Sequence, residues 1–226
     1  MVEQRAAAPE SGLRDRKKQA TRRSLEETAV RLFLERGFAD TTLDELVTEV
    51  GVSKRTFFRH FASKEDVAMS AESELWEAFA EAIGSRDPQA AILDGLRASL
   101  RSAVEGLDDD WDRRFVAVRG LMARTPALWD RSIVHAATAR RRIAAALDDG
   151  RVDDADARMR VALLSEFAVA AWRCAARDWI AGRGRPDGKG PRQRLGAWRG
   201  PGGRAGLLSS IDRAFDEIPA SLGMSV

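Results

Sequence analysis

One stretch, from Thr41 to Lys64, constrains the fold of this chain more than any other part of the sequence: TTLDELVTEVGVSKRTFFRHFASK. Thr42 is a residue type that caps helix N-termini, and the residues after it repeat with a helical period. The apolar positions of that repeat are Leu43, Leu46, Val47 and Val50. Gly51 ends this first helix, because glycine adopts the left-handed conformation that a C-terminal turn requires. Ser53 then caps a second short helix rich in cations, so the pattern predicts a DNA-reading helix-turn-helix.

These residues resemble the DNA-binding motif of the TetR family of transcriptional regulators. The residues that carry the resemblance are Thr42, Leu46, Gly51, Val52, Ser53, Thr56, His60, Phe61 and the Ser63–Lys64–Glu65 that opens the next helix. The resemblance implies a three-helix head and a helical body that binds a small, usually apolar effector and dimerises. It also implies a tyrosine at the position of Phe58 and a small residue at that of Arg55, and this chain differs at both.

The remaining sequence predicts an all-α protein, because no stretch shows the period-two alternation of a strand. A long helix is expected from Ser63 to about Ile83, connecting head and body. The predicted parts are a disordered lead-in at 1–12, a DNA-binding domain at 13–64 with its helix-turn-helix at 42–61, a ligand-binding and dimerisation domain at 65–226, and a mobile loop at 182–204. The last two helices are the expected dimer-forming pair.

The DNA-binding residues are predicted from the groove that a recognition helix enters. Only the major groove displays a base-specific pattern, and an arginine fork can bond guanine O6 and N7 together, so Arg55 is the predicted base contact. Phosphate contacts and the basic start of the first helix complete the set. The full prediction is Arg14, Arg16, Lys17, Lys18, Thr42, Ser53, Lys54, Arg55, Thr56, Phe58, Arg59, His60 and Lys64. Arg55 and Arg59 as solvated surface charges, and His60 as a packing residue, are the alternatives.

The ligand-binding residues are predicted from the aromatic and polar positions of the body. The candidates are Trp76, Phe79, Trp111, Phe115, Arg119, Met122, Trp129, His135, Phe167 and Trp172. Aromatic residues at helical spacing mostly form core, so a minority of these is expected to line a cavity. Arg119 and His135 are candidates for orienting a polar ligand group, with an ordinary surface or packing role as the alternative.

Composition limits the other functions. The single cysteine, Cys174, allows no intrachain disulfide, which favours a reducing compartment. No signal peptide or membrane span is expected, so the prediction is a cytoplasmic protein. With two histidines and one cysteine, no metal site, cofactor or enzymatic activity is predicted. The expected partners are operator DNA, a second copy of the chain and a small hydrophobic ligand. The alternative is a dimeric DNA-binding module with a filled core and no effector.

Overall fold

A computed structural model describes residues 10–87, 89–148, 154–182 and 202–224, and within these ranges the chain forms ten helices and no strand. The helices are α1 (Glu10–Arg36), α2 (Leu43–Val50), α3 (Lys54–Phe58), α4 (Lys64–Ala68), α5 (Ser70–Gly84), α6 (Ile92–Gly106), α7 (Trp111–Met122), α8 (Pro126–Leu147), α9 (Ala155–Ile180) and α10 (Gly203–Leu222). The predicted all-α class is confirmed. The chain divides into two compact units, Met1–Ser70 and Ala71–Val226.

In the first unit, α1 packs against α2 and α4. The apolar side chains of α1 and of the two motif helices are buried, and this core includes Leu25, Ala29, Leu32, Phe33, Leu46, Val47, Phe57 and Phe61. The rings of Phe57 and Phe61 lie 5.6 Å apart. Val50, an expected core residue, is only half-buried. The core therefore holds α3 by one side, which leaves its opposite side open.

Two boundaries of this unit differ from the prediction. The first helix begins at Glu10, so residues 10–12 of the predicted lead-in are helical, and residues 1–9 lie outside the described ranges. The expected long helix from Ser63 to Ile83 is two helices. Met69 separates them because its ψ of 10° departs from helical geometry, although its N–H still bonds the Glu65 carbonyl at 3.0 Å.

The second unit is built around α9, which contacts α6, α8 and α10. Its interior holds an aromatic cluster in which Trp111 stacks on Phe115 with ring centroids 4.9 Å apart. Trp172 of α9 contacts both, at 6.2 Å and 5.4 Å. All three side chains are at most 2% exposed. The aromatic cluster therefore fixes α7 against α9.

Arg204 anchors the beginning of α10. Its guanidinium donates to the carbonyls of Leu107 and Asp108 and to Asp112 Oδ1, the last at 3.1 and 3.2 Å. The predicted mobile loop at 182–204 is thus wrong at its end, since Gly203 and Arg204 belong to α10. Residues 183–201 of that loop lie outside the described ranges.

Candidate nucleic-acid interface and ligand cavity

The turn between α2 and α3 is fixed by capping at both ends. Thr42 and Glu45 form a capping box, in which the Glu45 N–H donates to Thr42 Oγ1 and the Thr42 N–H donates to Glu45 Oε2, at 3.2 and 2.8 Å. Gly51 has a φ of 74°, and its N–H donates to the Thr48 carbonyl. Ser53 Oγ then accepts from the Thr56 N–H at 3.1 Å. Only glycine adopts such a φ without strain, so the sequence dictates this corner.

The two faces of α3 differ completely in environment. Phe57 is fully buried in the core of the unit, whereas its neighbour Phe58 is 54% exposed. Arg55 and Arg59 lie on the exposed side, and neither guanidinium makes a hydrogen bond or ion pair with any described residue. Lys54 is also exposed, but its ammonium is paired with Asp44 Oδ1 of α2 at 2.7 Å. The exposed side of α3 therefore presents two arginines and an aromatic ring.

Three predicted DNA-binding hydroxyls take part in the motif itself. Thr42 Oγ1 donates to Glu45 Oε2 at 2.9 Å, and Ser53 Oγ lies 3.0 Å from Thr56 Oγ1. Thr42 and Ser53 are nevertheless exposed at the start of α2 and α3. Their first structural role is to set the helix starts, and a phosphate contact remains a prediction.

His60 and Lys64 are both directed towards the protein. His60 Nε2 is buried and has no hydrogen-bond partner in the part of the chain that the structure describes. Burial, followed by the charges of Arg59, Arg22 and Lys18, lowers the pKa of His60, which favours its neutral form. Lys64 Nζ donates to the carbonyls of Phe38 and Thr41 at 2.6 and 2.8 Å and lies 4.2 Å from the Phe38 ring centroid. This geometry gives Lys64 a packing role, and its predicted phosphate contact gains no support from it.

The predicted basic segment lies on the exposed surface of α1. Its members are Arg14, Arg16, Lys17 and Lys18, and all four are exposed. They lie within little more than one turn of a helix and do not belong to an irregular arm. The spacing of these cations is thus set by the helical rise.

The second unit contains a cavity of about 210 Å³ beside α5, α7, α8 and α9. Of the predicted ligand-binding residues, the structure brings Trp76, Arg119 and Trp129 together at this cavity. The others lie elsewhere: Phe79, Trp111, Phe115 and Trp172 are in the core, Met122 is buried, His135 Nδ1 lies 3.0 Å from Ser73 Oγ, and Phe167 borders a groove between α9 and α10. Trp76 and Trp129 are thus the predicted aromatics that line this cavity, and their ligand-binding role remains a prediction.

Sequence reasoning missed the carboxyl group at this cavity. Glu72 is 7% exposed, and its Oε2 has no hydrogen-bond partner among the described residues. Burial raises the pKa of Glu72, while Arg119, Trp76 and Arg173 oppose that effect. The signal was present in the sequence: an acid stands four residues before Trp76 on the apolar face of α5.

Residues 25–70 match the family model described as bacterial regulatory proteins, tetR family. The chain is 40% identical over 122 residues to the HTH-type transcriptional regulator TcmR of Streptomyces glaucescens. The matched segment covers 52% of this chain and 54% of TcmR. It is 50% identical over 44 residues to the regulator YerO of Bacillus subtilis, covering 20% of this chain and 15% of YerO. The chain thus spans about half of TcmR and less of YerO.

A similar solved structure is that of a transcriptional regulator from Aquifex aeolicus, with 16% identity, a TM-score of 0.46 and coverage of 89% of this chain and 99% of that one.

Within the described ranges, no helix is long and apolar enough to cross a membrane, and no cluster of side chains could hold a metal ion. The capped helices and the left-handed Gly51 lie within the family match. Residues 25–70 match the TetR family of bacterial regulatory proteins, and the chain is similar to transcriptional regulators of that family.

Proposed function

We propose that this chain represses transcription by inserting α3 into the major groove of an operator, and that a small ligand in the Ala71–Val226 unit releases it. One observation carries the DNA-binding part: Phe57 holds α3 to its core, and Arg55 and Arg59 are exposed on the other side with no ion pair to any residue of the described ranges. A groove-reading helix needs this division between an apolar back and a cationic front. Met1–Ser70 is then the DNA-binding unit and Ala71–Val226 the sensing unit.

A homodimer through α9 and α10 is part of this proposal. Met159 and Leu163 of α9 are 62% and 49% exposed, and Phe167 follows on the same helical face. A groove of about 460 Å³ runs between α9 and α10 beside Phe167 and Cys174. Pairing two copies through this face would bury the apolar stripe and supply two recognition helices for half-sites about 34–36 Å apart.

The test begins with the DNA next to the chain's own gene. A footprint on that DNA should show two protected half-sites in successive major grooves, and gel shifts should give an affinity that falls steeply with salt. Extracts rich in small aromatic metabolites should release the complex. Protection that follows no sequence, or a single isolated half-site, would contradict the proposal.

The second candidate is a dimeric DNA-binding module that has no effector. The observation that favours it is the aromatic cluster, because Trp111, Phe115 and Trp172 fill the centre of the unit rather than lining a cavity. Thermal unfolding separates the two candidates, since a ligand that binds only the folded state raises Tm by mass action. A library of small aromatic compounds that leaves Tm unchanged at millimolar concentration would favour the module.

A further inference from the structure

The cavity beside α5 contains two buried polar atoms that lack hydrogen-bond partners. Glu72 and Trp76 lie one turn apart on α5 and are 7% and 3% exposed. Glu72 Oε2 and Trp76 Nε1 have no hydrogen-bond partner of normal geometry among the described residues, although the Trp76 N–H lies close enough to the carboxyl to oppose the rise of its pKa. Buried polar groups in native proteins are nearly always satisfied, so an acceptor and a donor left open at one cavity indicate a missing polar group. A hydroxyl supplies both, because it donates and accepts.

The charges around the cavity restrict the ligand further. Arg140 is paired with Glu166, which leaves Arg119 and Arg173 against the single acid Glu72. Two arginines against one carboxyl make a cationic ligand unfavourable, even beside indole rings. A neutral hydroxyl avoids this repulsion and still reaches both open atoms.

The walls and the volume of the cavity determine which ligand body fits beside the hydroxyl. Trp129, Ile133 and Val169 supply apolar surface, and the first two are 50% and 57% exposed near the outside. The cavity volume is about 210 Å³. An apolar cavity of about 150 Å³ holds benzene, so this one suits one ring or two fused rings. Indole and aliphatic side chains favour a flat aromatic body there.

We propose that this cavity binds a neutral aromatic hydroxy compound of one or two rings, whose hydroxyl donates to Glu72 and accepts from Trp76. The inference rests on the proposed function to the extent that such a compound is the releasing ligand. Binding itself is independent of DNA and is measured without it.

The test uses calorimetry on the full chain with three probes that share a ring system: 2-naphthol, naphthalene and protonated 1-naphthylmethylamine. We expect the Kd of 2-naphthol to be at least tenfold lower than that of naphthalene, and the amine to bind more weakly than 2-naphthol. Glu72→Leu and Trp76→Phe should each reduce the advantage of 2-naphthol about fivefold. Glu81→Leu, an exposed acid on the same helix, is the matched control and should change none of the three.

Equal binding of 2-naphthol and naphthalene, or tightest binding of the amine, would overturn the proposal, as would a Glu72→Leu variant with the wild-type preference. If the variants do not fold, the ranking of the three probes on the wild-type chain decides alone. Gel shifts separate this inference from the proposed function. A chain that binds its operator and ignores 2-naphthol refutes only the ligand class, whereas a chain that binds 2-naphthol without binding specific DNA refutes only the regulator.

Discussion

Two arginines on the exposed side of α3 should make different kinds of contact with DNA. Arg55 lies in the first turn, its side chain makes no hydrogen bond or ion pair with a described residue, and it is expected to read a base, whereas Arg59 after the last turn is expected to hold a phosphate. Arg55→Ala should cost about 1–3 kcal/mol on the cognate operator and relax preference at one base pair. Arg59→Ala should weaken all sequences alike and reduce the salt slope by about 1.

The measurement is a gel-shift series over operators that differ by single base pairs, repeated at several salt concentrations. Arg59→Ala serves as the matched control, because it removes the same charge from the same surface. A uniform loss in both variants would reject the base-reading role of Arg55.

A substitution of Phe58 should increase the affinity for DNA. Its ring is 54% exposed on the outer side of α3, and the chain contains no tyrosine to donate a hydroxyl there. Phe58→Tyr should add a hydrogen bond to a phosphate, worth about 1 kcal/mol or about fivefold in Kd. The gain should appear on every sequence tested. Unchanged affinity in a fluorescence-anisotropy titration would show that the ring does not face the DNA backbone.

Glu72 makes stability depend on pH. Its folded-state pKa is raised, so above the unfolded-state pKa the folded chain holds a proton that the unfolded chain releases, and stability falls as pH rises through that interval. Glu72→Gln should therefore raise the free energy of unfolding at neutral pH, by about 1.4 kcal/mol for each unit by which the pKa is raised. The gain should vanish below about pH 4. Urea unfolding at several pH values measures it, and a constant difference across pH would contradict this account.

At the level of elements, the start of α2 depends on its capping box. Thr42→Ala removes the acceptor for the Glu45 N–H and the hydroxyl that bonds Glu45 Oε2. The expected cost is about 1 kcal/mol of stability. Thr48→Ala, exposed in the middle of the same helix, is the control and should be neutral or slightly stabilising, since alanine favours helix interiors. Equal effects of the two changes on thermal unfolding would reject the capping contribution.

Local signals explain which elements the sequence could predict. Thr42, Gly51 and Ser53 act within one turn of chain, so the caps and the corner between α2 and α3 follow from residue type. The cavity depends on residues far apart in sequence, such as Glu72 and Arg173, which meet only through the packing of α5 against α9. The break between α4 and α5 at Met69 could not be predicted either, because no Gly or Pro stands near it. The helical period of the apolar residues therefore predicts the helices, whereas tertiary packing determines which side chains meet.

For the whole molecule, the proposed dimer makes a test of assembly possible. Leu163→Asp places a charge in the centre of the exposed stripe of α9, where it would be buried without a partner. We expect dissociation to monomers in sedimentation experiments and a loss of operator affinity of at least tenfold, because one recognition helix then binds alone. Val134→Asp, at an equally exposed apolar residue of α8, is the control and should remain dimeric. A dimeric Leu163→Asp chain would move the interface elsewhere.

All tryptophan fluorescence of this chain comes from one of its two units. All six tryptophans of the chain follow residue 70, the chain has no tyrosine, and Trp76, Trp111, Trp172 and Trp179 are buried in the Ala71–Val226 unit. Near-ultraviolet emission therefore reports on that unit alone, and the Met1–Ser70 unit is dark apart from phenylalanine. Far-ultraviolet circular dichroism sees the helices of both. Melting curves from the two signals, recorded on one sample, will tell whether the dark unit unfolds together with the emitting one.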